Sequence, residues 1–392
     1  MTGSSGAVKR TVLLVALCGI VSHSLGRSTL PVLVPAIQND LNLSHTQAGL
    51  LSSVGFLGYM AGVAVVTTIS GRVEPSRLLI SGLLVAIAGF MALAWSPTFL
   101  VTAGGLLLTG LGGAGIWMSA PVIATGATDP AYRGMVMGLL SSTMGLGIIA
   151  ASQSTRLVRQ VTADEEAWRP VWAGAAIFTI VLLLATLISL GRTETEATEG
   201  GISLKLLRTV PRWQPLIVGY MLFGIVVSSF PLFLGVILEE NGMSRSHVSN
   251  IYSAFGISAV LAAVTLGRLS DHVGRRAVLL GAMGVMFGAS LLVLSKAEPW
   301  ATLAAAAFGG ASFAFPVLIV THLRDYLADR AFSNALGALT LFYGLALMVG
   351  PFVAGQVADS GLGLDAVFLM LAGTAVLAAS FIWRLPRPTP AP

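Results

Sequence analysis

Apolar residues in this chain run in unbroken blocks, with polar positions gathered between them. Twelve blocks cover residues 11–38, 45–70, 77–95, 98–125, 134–158, 169–191, 213–238, 246–267, 276–295, 299–322, 332–357 and 363–384. An apolar run of about 18 residues or more predicts a helix that crosses a bilayer. The pattern therefore predicts an all-α membrane protein with twelve transmembrane helices. The longest polar interval runs from Arg192 to Trp213, with Gly200, Gly201 and the acids Glu194, Glu196 and Glu199, and falls almost at mid-chain. It predicts two six-helix bundles, residues 1–191 and 213–392, joined by a linker over 192–212.

The two halves carry a faint repeat. Ser44 and Gln47 form a capping-box pattern at the head of the second block, and Ser244 to His247 stands in the corresponding place before the eighth. Gly71-Arg72-Val73 follows the second block as Gly267-Arg268-Leu269 follows the eighth. Two parallel repeats about an axis along the membrane normal suit a secondary transporter that rocks around a central site.

Composition agrees with a membrane class. Hydrophobic residues make up 55% of 392 positions and charged residues 10%, against about 25% charged in soluble domains. With the N-terminus inside, sixteen of the 22 Lys and Arg residues fall on the cytoplasmic face and five outside. That bias predicts both termini in the cytoplasm and a location in the cytoplasmic (inner) membrane. The net charge of +5 is this asymmetry and does not point to nucleic acid. Lys9 and Arg10 before an apolar stretch imitate a secretory leader, but no A-x-A site follows, so the stretch reads as the first span. Cys18 is the single cysteine, which precludes a disulfide within the chain.

Arg27 is the polar residue that the pattern does not explain. It lies near the middle of the first span, where a cation costs roughly 2.5–3.5 kcal/mol and reads as functional by default. His23 sits one turn earlier on the same face. All seventeen Asp and Glu residues fall in loops or at span ends, so Arg27 has no evident partner from the protein. A buried unpaired charge is costly, and a substrate carboxylate would complete it through a two-pronged contact. The competing reading has Arg27 snorkelling or bonding to backbone carbonyls of a neighbouring span.

Other motifs carry no chemistry. Gly110-Leu111-Gly112-Gly113-Ala114-Gly115 satisfies G-x-G-x-x-G but lies inside the fourth span, without the strand a dinucleotide site needs. It reads as helix packing. Gly58/Gly62, Gly134/Gly138 and Gly284/Gly288 are small-xxx-small pairs, expected to make contacts within the bundle of a monomer. The five histidines show no metal-ligand spacing, and neither a nucleophile elbow nor a P-loop is present. The chain reads as no enzyme and no ATP-driven pump, with no cofactor.

Gly267-Arg268-Leu269-Ser270-Asp271-His272-Val273-Gly274-Arg275-Arg276 resembles the signature loop of the major facilitator superfamily, G-x-L-x-D-x-x-G-R-[KR]. The resemblance implies a charge network in which Asp271 and the flanking arginines brace the eighth span against the eleventh. The first-half copy departs from the pattern: Glu74, Pro75, Ser76 and Arg77 follow Gly71-Arg72-Val73, so the acid is displaced and the second glycine missing. Gly350-Pro351-Phe352-Val353-Ala354-Gly355 resembles the G-P-x-x-A-G stretch of monocarboxylate- and oxalate-type carriers, and implies a gating bend. The fifth span reads Gly145-Leu146-Gly147-Ile148-Ile149-Ala150 and lacks the proline of drug–proton antiporters.

The resemblance also implies a central cavity. Carried onto this chain, its lining spans offer Tyr59, Trp117, Met118, Ser119, Ser142, Phe230, Tyr252, Phe315 and Tyr343 beside Arg27 and His23. Three readings follow: a carrier for a small organic anion, with His23 or the substrate itself as the candidate proton carrier; an exporter of amphipathic compounds or drugs; and a membrane sensor or scaffold without transport.

Overall fold

The computed structural model describes residues 2–164, 167–190, 203–327 and 329–386, and among them every regular element is helical. All twelve predicted spans are helices. They run Thr2–Leu41 in three consecutive pieces, His45–Ile69, Pro75–Ala94, Phe99–Gly126, Arg133–Thr162 and Arg169–Ser189. The second half continues with Trp213–Glu240, Arg245–Val273, Arg275–Val293, Trp300–Arg324 with a break, Asp329–Val357 and Gly363–Ile382. Among the described residues, nine segments are long and apolar enough to cross a membrane. One of them, Asn334–Ile382, contains both the eleventh and the twelfth span.

Proline explains the two irregular spans. In the first, an α-helical start gives way to a π-helix over Val21–Ser28. Pro31 lacks the N–H that would bond the Arg27 carbonyl in an α-helix, so the regular ladder cannot pass through this turn. Pro35 in the same way leaves the Pro31 carbonyl without its helical donor, and the Tyr252 hydroxyl donates to it at 3.2 Å. In the tenth span Pro316 conflicts with the carbonyl of Ser312, and the helix breaks there into Trp300–Ser312 and Ala314–Arg324.

The chain forms two compact units. One comprises Met1–Leu43, Val54–Thr198 and Ser244–Gly256, the other Ser44–Ser53, Glu199–Met243 and Ile257–Pro392. The head of the second span thus packs in the second unit, and the head of the eighth in the first.

Close glycine contacts organise the first unit. The run Gly110–Gly115 faces three neighbours at once. A Cβ on Gly110 would overlap the Gly55 carbonyl and lie 2.7 Å from the Tyr59 nitrogen of the second span. On Gly112 it would lie 2.5 Å from the Gly82 carbonyl of the third, and on Gly113 3.4 Å from Ser22 of the first. Helices without a hydrophobic driving force between them associate through such contacts, so the packing reading of this motif holds. Gly58 and Gly62 answer from the second span, against Leu107, Leu111 and Ala114. The other two small-residue pairs do not behave as expected: nothing lies within 4 Å of a Cβ on Gly134, Gly138, Gly284 or Gly288. Spacing gives a smooth face but does not say whether a partner covers it.

Arg169 ties the helix ends of this unit together. Its guanidinium pairs with Asp40 at 2.8 Å, donates to the Ser96 carbonyl at 2.8 Å and lies over the Trp168 ring. The fifth helix runs on to Thr162 and carries Arg159, which is only 5% exposed. The eighth span joins the fifth through Ser253, bonded to Ser152 at 2.8 Å and to Gln153 at 2.6 Å, and through Asn250, which accepts from Arg156.

The second unit is built on aromatic stacking. Phe230 lies 3.8 Å from Phe308, ring on ring, with Phe368 edge-on. Tyr220 stacks on Tyr343 at 4.3 Å. The head of the second span is capped here with every first-turn donor met. Ser44 and Gln47 close the predicted capping box, N to Oε1 at 2.9 Å and N to Oγ at 3.2 Å. Asp359, beyond the eleventh span, accepts from the backbone N–H groups of His45 at 3.1 Å and Thr46 at 2.8 Å. Partial burial raises the pKa of this carboxyl. Bonds from Thr46, Ser44 and His45 more than offset that and hold it below the ordinary aspartate range.

Candidate functional site

The site centres on the π-helical turn of the first span. A π-turn is rare, occurs mostly as a short insertion and gathers at functional sites. Here it carries Arg27, and its start is fixed to the fourth span by the Ser22 hydroxyl, which donates to the Gly113 carbonyl at 2.8 Å. The half-buried guanidinium of Arg27 reaches two rings of the second span, with its central carbon 4.8 Å from the centroid of Phe56 and 4.9 Å from that of Tyr59. Phe56 and Tyr59 are three residues apart and so share a helix face. Among the described residues, no carboxylate pairs with Arg27 and no oxygen accepts from it. Its described contacts are the π faces of these two rings.

The remaining expected residues scatter. Trp117 is half-buried on the fourth span. Ser119 is buried and donates to the Gly115 carbonyl one turn back, the usual way a hydroxyl is satisfied inside a helix. Phe230 and Tyr252 are enclosed by protein, the first in the stack with Phe308 and the second on the Pro31 carbonyl. Tyr343 is committed to its stack with Tyr220 and Phe223. Among the described residues of the expected lining, then, it is Tyr59 that touches Arg27. The side chains of His23 and Phe315 lie outside the described residues. Phe56 was not among the sequence candidates; its signal was the three-residue spacing from Tyr59.

The signature loop is legible in part. Gly274 has φ of 85° and caps the ninth span, a left-handed conformation that favours glycine. Arg275 forms an ion pair with Asp325 at the end of the tenth span. Arg276 donates to the Leu385 carbonyl at 3.3 Å and covers the Trp383 ring. Among the described contacts, these arginines thus reach the tenth span and the end of the twelfth. The side chains of Gly267, Arg268 and Asp271 lie outside the described residues. In the eleventh span Gly350 abuts Ile225 and Ser228 of the seventh, while Pro351 meets Gly49 and Gly355 meets His45 and Thr46 of the second. The G-P-x-x-A-G stretch thus packs against both the second and the seventh span.

A membrane protein that is helical throughout its described regular elements, with Arg27 set among aromatic rings, has the architecture of a transporter, and comparison with known proteins bears this out. The family described as the uncharacterised MFS-type transporter YbfB matches residues 20–383. The chain belongs to that family: it is a multi-pass MFS-type transporter and not an enzyme. The MFS-type transporter YcaD of Salmonella heidelberg is 24% identical over 387 residues, covering 98% of each chain. Among solved structures, a bacterial homologue of the human lysosomal transporter Spinster, inward-facing and unoccupied, superposes with a TM-score of 0.78 at 17% identity. That match covers 97% of this chain and 96% of the other. The nucleoside transporter NupG gives 0.79 at 14% identity over 97% and 100%. At such identities the two structures speak for the fold alone.

Proposed function

We propose that this transporter is a secondary carrier for a small organic anion of the carboxylate type, which Arg27 binds. Residues 1–191 and 213–392 are the two halves that rock about the site, with 192–212 as their link. The membrane is the cytoplasmic one, and both termini are cytoplasmic. The Gly267–Arg276 loop and the Gly350–Pro351 bend serve as gating elements, and a proton on His23 or on the substrate is the coupling ion.

One observation carries the anion reading. A permanently charged guanidinium stands half-buried at mid-span, with two aromatic rings as its partners among the described residues and no described acceptor on its N–H groups. Aromatic walls beside one polar group also suit an organic body behind the carboxylate. The same rings give the amphipathic-exporter reading its specific support. A thermal-shift panel separates the two. Lactate, benzoate and oxalate should raise the melting temperature of the wild type, benzamide should not, and Arg27→Gln should abolish the response. A wild type stabilised by cationic or neutral amphipaths, and equally so in Arg27→Gln, would favour export and end the anion reading.

A further inference from the structure

Resting on the carboxylate reading, we propose that Phe56 and Tyr59 are positioning residues that hold the Arg27 guanidinium by its faces and so present its edge to a planar carboxylate. A guanidinium has two chemically distinct surfaces. Its weakly hydrated faces stack on aromatic rings, while its N–H donors lie in the plane and fit two carboxylate oxygens side by side. In this chain both rings meet the guanidinium at almost equal distance, 4.8 and 4.9 Å from its central carbon. Both rings come from one face of the second span, and among the described residues no oxygen accepts from the guanidinium N–H groups.

The rings cannot easily retreat. The stretch of the second span that carries them is pressed backbone to backbone against the fourth span. A Cβ on Gly58 would overlap the Leu107 carbonyl, and one on Gly110 would overlap the Gly55 carbonyl and stand 2.7 Å from the Tyr59 nitrogen. The backbone of the arginine is held to the same span, through Ser22 on Gly113 at 2.8 Å and through Gly26, which faces the Thr109 carbonyl. The fourth span thus fixes both the cation and its aromatic support, so a carboxylate meets an arginine already aimed. Preorganisation of this kind raises affinity by removing the ordering cost at binding. It also selects for shape: an anion with two coplanar oxygens uses the edge fully, and the corresponding amide does not.

The test pairs binding with ligand-free stability. Benzoate affinity is measured by calorimetry for wild type, Phe56→Leu, Tyr59→Leu, Phe56→Tyr, Tyr59→Phe and Arg27→Lys. The two leucine variants should each bind about tenfold more weakly, the scale of a desolvated cation–π contact. Phe56→Tyr and Tyr59→Phe, which keep the ring, should stay within about twofold of wild type on the same scale. Arg27→Lys keeps the charge without the plane and should lose binding as well. Without ligand, Phe56→Leu should lower the melting temperature more in wild type than in the Arg27→Gln background. Unchanged benzoate affinity in both leucine variants, with binding still dependent on Arg27, would overturn the positioning role alone. A wild type that binds no carboxylate, while Arg27 and Phe56 remain coupled in stability, would bring down the carboxylate reading and leave the rings a structural clamp.

Discussion

Replacing Gly110 by alanine is the sharpest test of how the first unit is held together. The added methyl would stand 2.7 Å from the Tyr59 nitrogen, where ordinary van der Waals contact begins at 3.4 Å, and would overlap the Gly55 carbonyl. Both obstacles are backbone, so the second and fourth spans must move apart by at least the 0.7 Å difference between those two distances. Overpacking of this kind costs about 1–3 kcal/mol. Gly284 supplies the control: it is also mid-helix, but nothing lies within 4 Å of its would-be methyl. Alanine there gains up to about 1 kcal/mol of helix propensity over glycine. The same gain applies at Gly110 and cancels, so the two variants should differ by about 1–3 kcal/mol, read as melting temperatures of the purified protein by intrinsic tryptophan fluorescence. Gly110→Ala should melt several degrees below wild type, Gly284→Ala level with it or above. Because the strained contact lies beneath Tyr59, Gly110→Ala should also blunt the carboxylate response. Equal melting temperatures for the two variants would refute the backbone contact as described.

Two further expectations follow from single residues. Asp359→Ala removes the acceptor for the His45 and Thr46 N–H groups and should cost about 0.5–1 kcal/mol at neutral pH, the low end for a cap since the carboxylate is exposed. Its native pKa is depressed, so this contribution is complete above the unfolded value of 3.8 and is lost as pH falls through the folded value. The gap between wild type and variant in a melting series should therefore close in acid, and a gap constant with pH would contradict the cap. Arg275 and Asp325 are both partly exposed, so Asp325→Asn should cost no more than about 1 kcal/mol. The exchange Arg275→Asp with Asp325→Arg should restore what Arg275→Asp alone loses, as read by melting temperature.

Much of the fold was legible because a bilayer demands long apolar helices, and little else in a sequence produces twelve such blocks. Arg27 was legible for the same reason, since one cation in an apolar span contradicts its surroundings. The Ser44–Gln47 capping box could be read because it is local, closing over three residues. What escaped depended on distant partners. Phe56 looks like any apolar residue until Arg27 is seen beside it. The π-turn arises from Pro31 acting on a carbonyl four residues back, and many helices accommodate a proline with a simple kink. Asp359 reads as a loop acid, and only the fold brings it to the head of the second span. Phe230, Tyr252 and Tyr343 were expected at a cavity from their spans alone, but burial and stacking depend on which face of each span they occupy.

The central claim is that Arg27 binds the transported anion, and uptake into proteoliposomes tests it most directly. Wild type and Arg27→Gln, matched for incorporation and melting temperature, are loaded with the carboxylate that most stabilises the wild type and assayed by counterflow of the labelled compound. Saturable exchange in wild type that disappears in Arg27→Gln is the predicted result. Exchange of the same rate and half-saturation in both proteins would contradict it.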